Sequence, residues 1–218
     1  MNEKSGVVFS IAKDNAFVPG CTVSKLVSKE NGYYVSHFSM AEGTDISAET
    51  YRYSKIWIVM EGSMIIELAD DKKIGIGKGK TYITPINKTI GVSTKTGCIY
   101  TEITLKEDTK MNEILKDKEV FALKNFLPYQ EGKVINMDLI NEEKLKFVVM
   151  SFTEGTGLSE HAAPGEALIF ALDGEGIIGY EGKEYRIHAG ENFKFAKNGA
   201  HYIKADQNFK MALLLTLE

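Results

Sequence analysis

The sequence predicts an all-β protein made of two tandem domains of one kind, and three features carry that expectation. Short runs of β-branched and aromatic residues recur between Gly, Asn, Asp and Pro, helical periodicity is scarce, and the second half of the chain repeats the first. Runs such as Tyr33 to Met40, Lys55 to Met60, Ser63 to Leu68, Thr81 to Thr84 and Cys98 to Leu105 have the length and spacing of an antiparallel sandwich or barrel.

The repeat is read at an offset of 112 residues, which lays Val120-Phe121 on Val8-Phe9, the GTGLS that starts at Gly155 on the GTDIS that starts at Gly43, and Gly174 on Gly62. After a one-residue slip Gly190 falls on Gly79 and His201 on Ile90, and Thr216-Leu217 returns to Thr104-Leu105 at the original offset. A period of half the chain is too long for a solenoid unit, so it points to one domain duplicated. The expected domains are 1–108 and 119–218, with 109–118 as a linker. The clearest helical candidate, Thr109 to Lys116, lies in that linker, with Met111, Ile114 and Leu115 at three- and four-residue spacing behind a threonine N-cap and Glu113. Asn141 to Lys146 is too charged and short for more than a turn.

Composition narrows the function. A chain of 218 residues that is 44% hydrophobic has the bulk for two cores, and 26 basic against 30 acidic residues leave a net charge of −4. No basic run supplies a phosphate-neutralising stripe, so no nucleic-acid partner is expected. The apolar runs are far too short to span a bilayer and the N-terminus lacks an apolar signal core, so no membrane is expected either. Cys21 and Cys98 have neither metal spacing nor a disulfide framework, and as free buried thiols they fit the cytoplasm. The repeat itself suits a monomer with pseudo-two-fold symmetry or a homodimer.

Two stretches carry whatever chemistry there is: Gly155 to Glu175, GTGLSEHAAPGEALIFALDGE, and Gly190 to His201, GENFKFAKNGAH. Both read as strand, tight turn, strand, punctuated by Pro164-Gly165 and Asp173-Gly174 in the first and Asn198-Gly199 in the second. Together they resemble the two motifs of the cupin family. That resemblance implies tandem double-stranded β-helix, or jelly-roll, barrels. It also implies a divalent metal held inside the barrel by two histidines two residues apart, a glutamate, and a histidine of the second motif. Here those positions read His161, Ala163, Ala167 and His201.

Two imidazoles fall short of the three or four protein ligands typical of a catalytic metal site. One reading is therefore a small-molecule pocket in the C-terminal barrel, where His161 and His201 face each other in a mostly apolar lumen. Ala163 and Ala167 would open room beside them, and Tyr202, with Tyr180 and Tyr185, would line or gate it. The alternative is a metal-dependent cupin enzyme of oxygenase or isomerase type, with one divalent ion on His161, His201 and Glu166. Glu166 stands one place before the family's glutamate, which on a regular strand turns it to the opposite face unless the Ala162 to Gly165 turn shifts the register. A third reading, a purely structural or storage role, requires both lumens to be closed.

In the N-terminal half the matching positions are Glu49, Tyr51, Lys55 and Ile90. No imidazole is among them, so this half is expected to hold no metal, with Glu49 and Lys55 pairing beside Tyr51. His37 and His188 lack companion ligands and are expected at the surface or in packing. The glycine-rich Lys73 to Lys80 precedes no helix, so it is not a phosphate loop.

Overall fold

The computed structural model describes residues 1–116 and 119–217. The first half contributes β1 (Val8–Phe9), the short helix α1 (Ile11–Asp14), β2 (Thr22–Glu30), β3 (Tyr33–Met40), β4 (Asp45–Thr50), β5 (Lys55–Leu68), β6 (Lys73–Gly77), β7 (Thr81–Ile83), β8 (Thr89–Ser93) and β9 (Cys98–Thr104). The second contributes β10 (Val120–Phe121), β11 (Val134–Asn141), β12 (Leu145–Phe152), β13 (Gly157–Ala162), β14 (Glu166–Tyr180), β15 (Lys183–His188), β16 (Asn192–Phe195), β17 (Ala200–Lys204) and β18 (Phe209–Thr216).

These strands form two antiparallel sheets of nine strands with the same connectivity, β10-β7-β5-β9-β3-β2 and β1-β16-β14-β18-β12-β11, each with three further strands attached. The first strand of each half is exchanged. Val8 and Phe9 pair with Phe193 and Asn192 of the second sheet, while Val120 and Phe121 pair with Tyr82 and Thr81 of the first. The sequence runs Lys55–Met60 and Ser63–Leu68 are one bent strand, turned by Gly62 at φ 69°, where an added Cβ would lie 2.0 Å from the Gly97 carbonyl oxygen. Gly174, at φ 68°, makes the same bend in β14. The register irregularities also recur: those at Leu26/Ser28, Ile46/Glu49 and Val59/Glu61 have counterparts at Asp138/Ile140, Leu158/His161 and Ala171/Asp173.

The helix expected over Thr109–Lys116 is reduced to one 3-10 turn, Glu113–Leu115. Its N-cap is Asn112, not Thr109; the Thr109 hydroxyl instead accepts from the Lys106 N–H. A segment this short gains too few helical hydrogen bonds to hold itself, and its edges are committed elsewhere. Asn112 donates its backbone N–H to the Leu139 carbonyl and its side-chain amide to the Asp138 carbonyl, each at 2.8 Å, where β11 bulges. Asn2 grips Val27 and Leu26 of β2 in the same way. Residues 117 and 118 of the expected linker lie outside the described residues. Glu142–Lys144 forms the turn of the β11–β12 hairpin, as read from the sequence.

Period-two alternation sorts the apolar side chains into three clusters. Ile56 and Ile58 of β5, with Leu168 and Phe170 of β14, Phe147, Val149 and Leu214, form a central layer to which both sheets contribute. The intervening residues turn the other way: Trp57 and Val59 into the hollow of the first sheet with Tyr82 and Tyr100, and Ala167, Ile169 and Ala171 into that of the second with Phe152, Phe193, Phe195 and Phe209. Cys98 is buried in the first hollow, where burial pushes its thiol up to about 12 and leaves it inert, but Cys21 is exposed, contrary to the expectation that both are buried.

His37, on β3, is a packing residue and not a surface one. Its Nδ1 meets the Thr101 hydroxyl at 3.0 Å, and its Nε2 lies 3.6 Å from Glu3, outside hydrogen-bond reach. Burial, then the Lys25 charge, lowers its pKa to about 3.

Two outcomes are expected. Fragments 1–108 and 119–218, made separately, will aggregate or associate, because each exposes the central layer and lacks the strand its partner donates; two soluble, folded monomers would contradict this. His37 stays neutral when folded and protonates near 6.5 when unfolded, so its contribution is complete above about pH 6.5 and lost as pH falls toward about 3, at up to about 1.4 kcal/mol per pH unit. Denaturant titrations from pH 7 to pH 4 should show a shallower loss of stability in His37→Gln; an unchanged slope would mean the ring is charged in the fold.

Candidate functional site

His161 and His201 are brought face to face by the pairing of β13 with β17, where they are direct cross-strand partners and Ala162 opposes Ala200. Between Leu158 and His161 the register shifts by one residue, so Ser159 and Glu160 stand against Tyr202 alone. This bulge aims His161 at His201. Asn198, at φ 62°, holds the following turn by donating its N–H to the Ala163 carbonyl at 2.8 Å.

The ring centroids of the two histidines are 4.3 Å apart. His161 is exposed, whereas His201 is buried and stacks on Phe195 at 3.9 Å with 20° between the planes. Each Nδ1 lies 2.8 Å from a backbone carbonyl two residues back in the chain, Ser159 for His161 and Gly199 for His201. A carbonyl only accepts, so each Nδ1 carries the hydrogen and each neutral ring keeps its lone pair on Nε2. Burial lowers the His201 pKa and the neighbouring His161 lowers it further, against an opposing effect of the Gly199 carbonyl. Tyr180 of β14 is the partner of His201 on its other side, with its ring 5.6 Å from Phe195. The site is thus a cross-strand row, Tyr180, His201 and His161, backed by Phe195.

The remaining expected site residues fall elsewhere. Ala167 is buried on the inner face opposite Phe195, and Ala163 packs against the same cluster. The space expected beside these alanines is taken by the rings of Phe193 and Phe195, 5.3 Å apart, and of Phe152 and Phe209, 6.0 Å apart, so the lumen is packed and the histidines sit at its mouth. Glu166 is not brought to the histidines. Strand alternation turns it to the opposite face from Ala167, where its carboxylate meets the Met1 amino group and, at 2.6 Å, the Lys194 ammonium. Tyr202 likewise points outward, donating to Glu184 beneath the Lys204 ammonium, and Tyr185 packs against Phe193. Among the described residues no three His, Cys, Asp or Glu side chains are grouped to hold a metal ion. The motif positions do not single out Phe195; the signal for it in the sequence is the Phe193-Lys194-Phe195 alternation just ahead of the histidine turn. His188 lies at the surface between Glu175 and Glu191, as expected.

In the first sheet Glu49 and Ile90 are cross-strand partners, just as His161 and His201 are, so the matching of these positions holds in three dimensions. The ion pair differs from the one expected. Glu49 is exposed, and Lys55 instead reaches Glu102 of β9 at 2.9 Å while lying over the Tyr51 ring at 4.1 Å. Glu102 also accepts from the Trp57 indole at 2.8 Å and the Thr104 hydroxyl at 3.2 Å. Its only sequence signal was a carboxylate in the otherwise apolar run Cys98–Leu105. Removing Lys55 strands a buried carboxylate, so Lys55→Ala should cost about 3 to 5 kcal/mol, against under about 1 kcal/mol for an exposed pair. An unmoved denaturant midpoint would show the pair to be solvated.

Residues 148–217 match the family model described as the cupin domain. No curated protein matches the chain. Among solved structures, a Cupin 2 conserved barrel domain protein from Leptotrichia buccalis is similar over 99% of this chain and 98% of its own, with a TM-score of 0.86 and 26% identity. Salicylate 1,2-dioxygenase from Pseudoaminobacter salicylatoxidans, in adducts with gentisate, shares the fold at a TM-score of 0.66 and 9% identity, covering 96% of this chain and 80% of that one. Oxalate decarboxylase of Lactobacillus farciminis, in a formate complex, does so at 0.55 and 11%, covering 100% and 88%. The domain match runs from β12 to β18, and a cupin barrel protein is similar along nearly the whole chain, so the likeness to the cupin superfamily holds in sequence for the second half and in fold throughout.

Proposed function

We propose that this is a two-domain cupin, arisen by duplication, that binds a small organic molecule at the mouth of its C-terminal barrel. The duplication reading rests on the shared connectivity and on bulges that recur 112 residues apart. The site reading rests above all on one observation. Two imidazoles stand 4.3 Å apart with both tautomers fixed by backbone carbonyls, which leaves two Nε2 acceptors at the mouth and an aromatic face behind them. Such a pair suits a ligand bearing hydroxyl or N–H donors on a flat apolar body. The matching mouth in the first half offers exposed Glu49 and buried Ile90, and Lys55 there is already paired, so we place the site in the second half only.

A divalent ion would find two good nitrogen donors here, since metal-bound histidines commonly donate their other N–H to a carbonyl. The donor set nevertheless does not fit a tightly held ion, because Glu166 is engaged on the other face and, among the described residues, no third protein ligand is grouped with the pair. Any ion bound would be weak, with affinity falling as pH drops through the histidine range, because protonated imidazole cannot ligate. We further propose a cytoplasmic location, which the free Cys21 and Cys98 support.

Ligand-observed NMR against a fragment set, paired with elemental analysis of protein purified without tag or chelator, tests the reading. Hydroxylated aromatic fragments should bind wild type and Tyr202→Phe alike, be lost in His201→Ala, and be weakened about five- to tenfold in His161→Ala, which removes one hydrogen bond. One ion per chain, held through dialysis and abolished by either histidine substitution, would replace this reading with a metal-dependent oxygenase or isomerase.

A further inference from the structure

A second hollow, of about 350 Å³, opens where the two sheets meet and lies apart from the histidine mouth. Its floor is made by a pair of bulges. In β5, Val59 and Glu61 are ladder partners of Tyr100 and Ile99, and Met60 between them has none. In β14, Ala171 and Asp173 pair with Met211 and Lys210, and Leu172 is the unpaired one. The extra residue bends each strand, and half-buried Met60 and Leu172 both line the hollow instead of continuing a face of their sheets. Two glycine turns close the sides. Gly79 donates to the Val59 carbonyl and Gly190 to the Ala171 carbonyl, each at 2.9 Å, both at positive φ and both facing open space. The segment Ala122–Asn125, which follows the exchanged strand β10, covers one end.

The lining is mostly apolar, and its charged members are all cations: Lys78, Lys80 and Lys124. Lys78 is paired with Glu61 at 2.8 Å and Lys124 with Asp173 at 3.3 Å. Lys80 has no carboxylate within ion-pair reach among the described residues. The volume falls in the range of small-ligand sites, about 300 to 1,000 Å³. An apolar floor with one uncompensated ammonium at its rim selects an apolar body carrying a single negative charge.

We infer that the hollow between the Met60 and Leu172 bulges is a second ligand site, one that takes an amphipathic organic monoanion such as an aromatic or branched aliphatic acid, with Lys80 as its counter-charge. The inference is independent of the histidine mouth. Because residues of both halves line the hollow, an occupant also ties the halves together and raises the melting temperature by mass action.

The test uses full-length protein and the fluorescent anion 1-anilinonaphthalene-8-sulfonate, with the uncharged N-phenyl-1-naphthylamine as a charge control. The anion should bind saturably at one per chain and more tightly than the neutral compound. Lys80→Ala should weaken it about fivefold, as expected for one exposed charge contact. Ala189→Trp, an exposed substitution that fills the hollow, should abolish binding, and Glu61→Gln, which releases Lys78, should strengthen it. Each variant is compared at a temperature well below its own melting point. No saturable binding by the wild type, equal affinity for the two compounds, or affinities unchanged in Lys80→Ala and Ala189→Trp would overturn the assignment.

Discussion

The constraint on which the structure depends is that its central strands are buried on both faces. β5 sends Ile56 and Ile58 into the layer between the sheets and Trp57 and Val59 into its own hollow; β14 does the same with Leu168 and Phe170 against Ala167, Ile169 and Ala171. A slip of one residue would exchange every member of one core for a member of another. Register is therefore held tightly, and it departs from regularity only where a bulge re-aims a side chain. The bulges recur in both halves at the same places, and three of them matter chemically: the one that turns His161 toward His201 and the pair that opens the hollow at Met60 and Leu172.

Double burial also explains what could be read from the sequence. Long apolar runs broken by Gly and Asn imply strands whatever their partners, so the all-β class, the repeat and most strand positions follow from the chain alone. The exchange of β1 and β10 does not. Val8-Phe9 and Val120-Phe121 are two residues long and carry no periodicity, and only the place of a partner edge decides which sheet receives them. The linker helix failed for a related reason, since a helical pattern within eight residues loses to an asparagine whose backbone and side chain are both taken by an adjacent strand.

At the site the residues were legible but their surroundings were not. His161 and His201 could be named because two motifs fix their positions. Glu166 could be doubted because period two turns neighbours to opposite faces, and Lys194 waits on that outer face to receive it. The filling of the lumen depends on Phe152 and Phe209, which lie outside the two motifs and meet only across the folded sheet, and so alanines that suggested space instead accommodate rings. The Lys55 partner is likewise set by the fold. Glu49 is near in sequence, but Glu102 is nearer in space, on the adjacent strand β9.

The two mouths show how one geometry can be put to different physical use. Both place a cross-strand pair at the same location, but the first half surrounds it with a buried charge pair. Lys55, held between Glu102 and the Tyr51 ring, has its charge answered and its ammonium covered, and Glu102 in turn has three donors. Such a network is satisfied internally and has little to offer a ligand. The second half keeps two rings whose hydrogen bonds among the described residues use Nδ1, so Nε2 of each remains available for a partner at the mouth. Burial of His201 strengthens this difference, because it lowers the pKa and keeps the ring in its accepting form across the neutral range. The polar capacity of the molecule is therefore spent on stability in one half and held in reserve in the other, which favours a single histidine site over two.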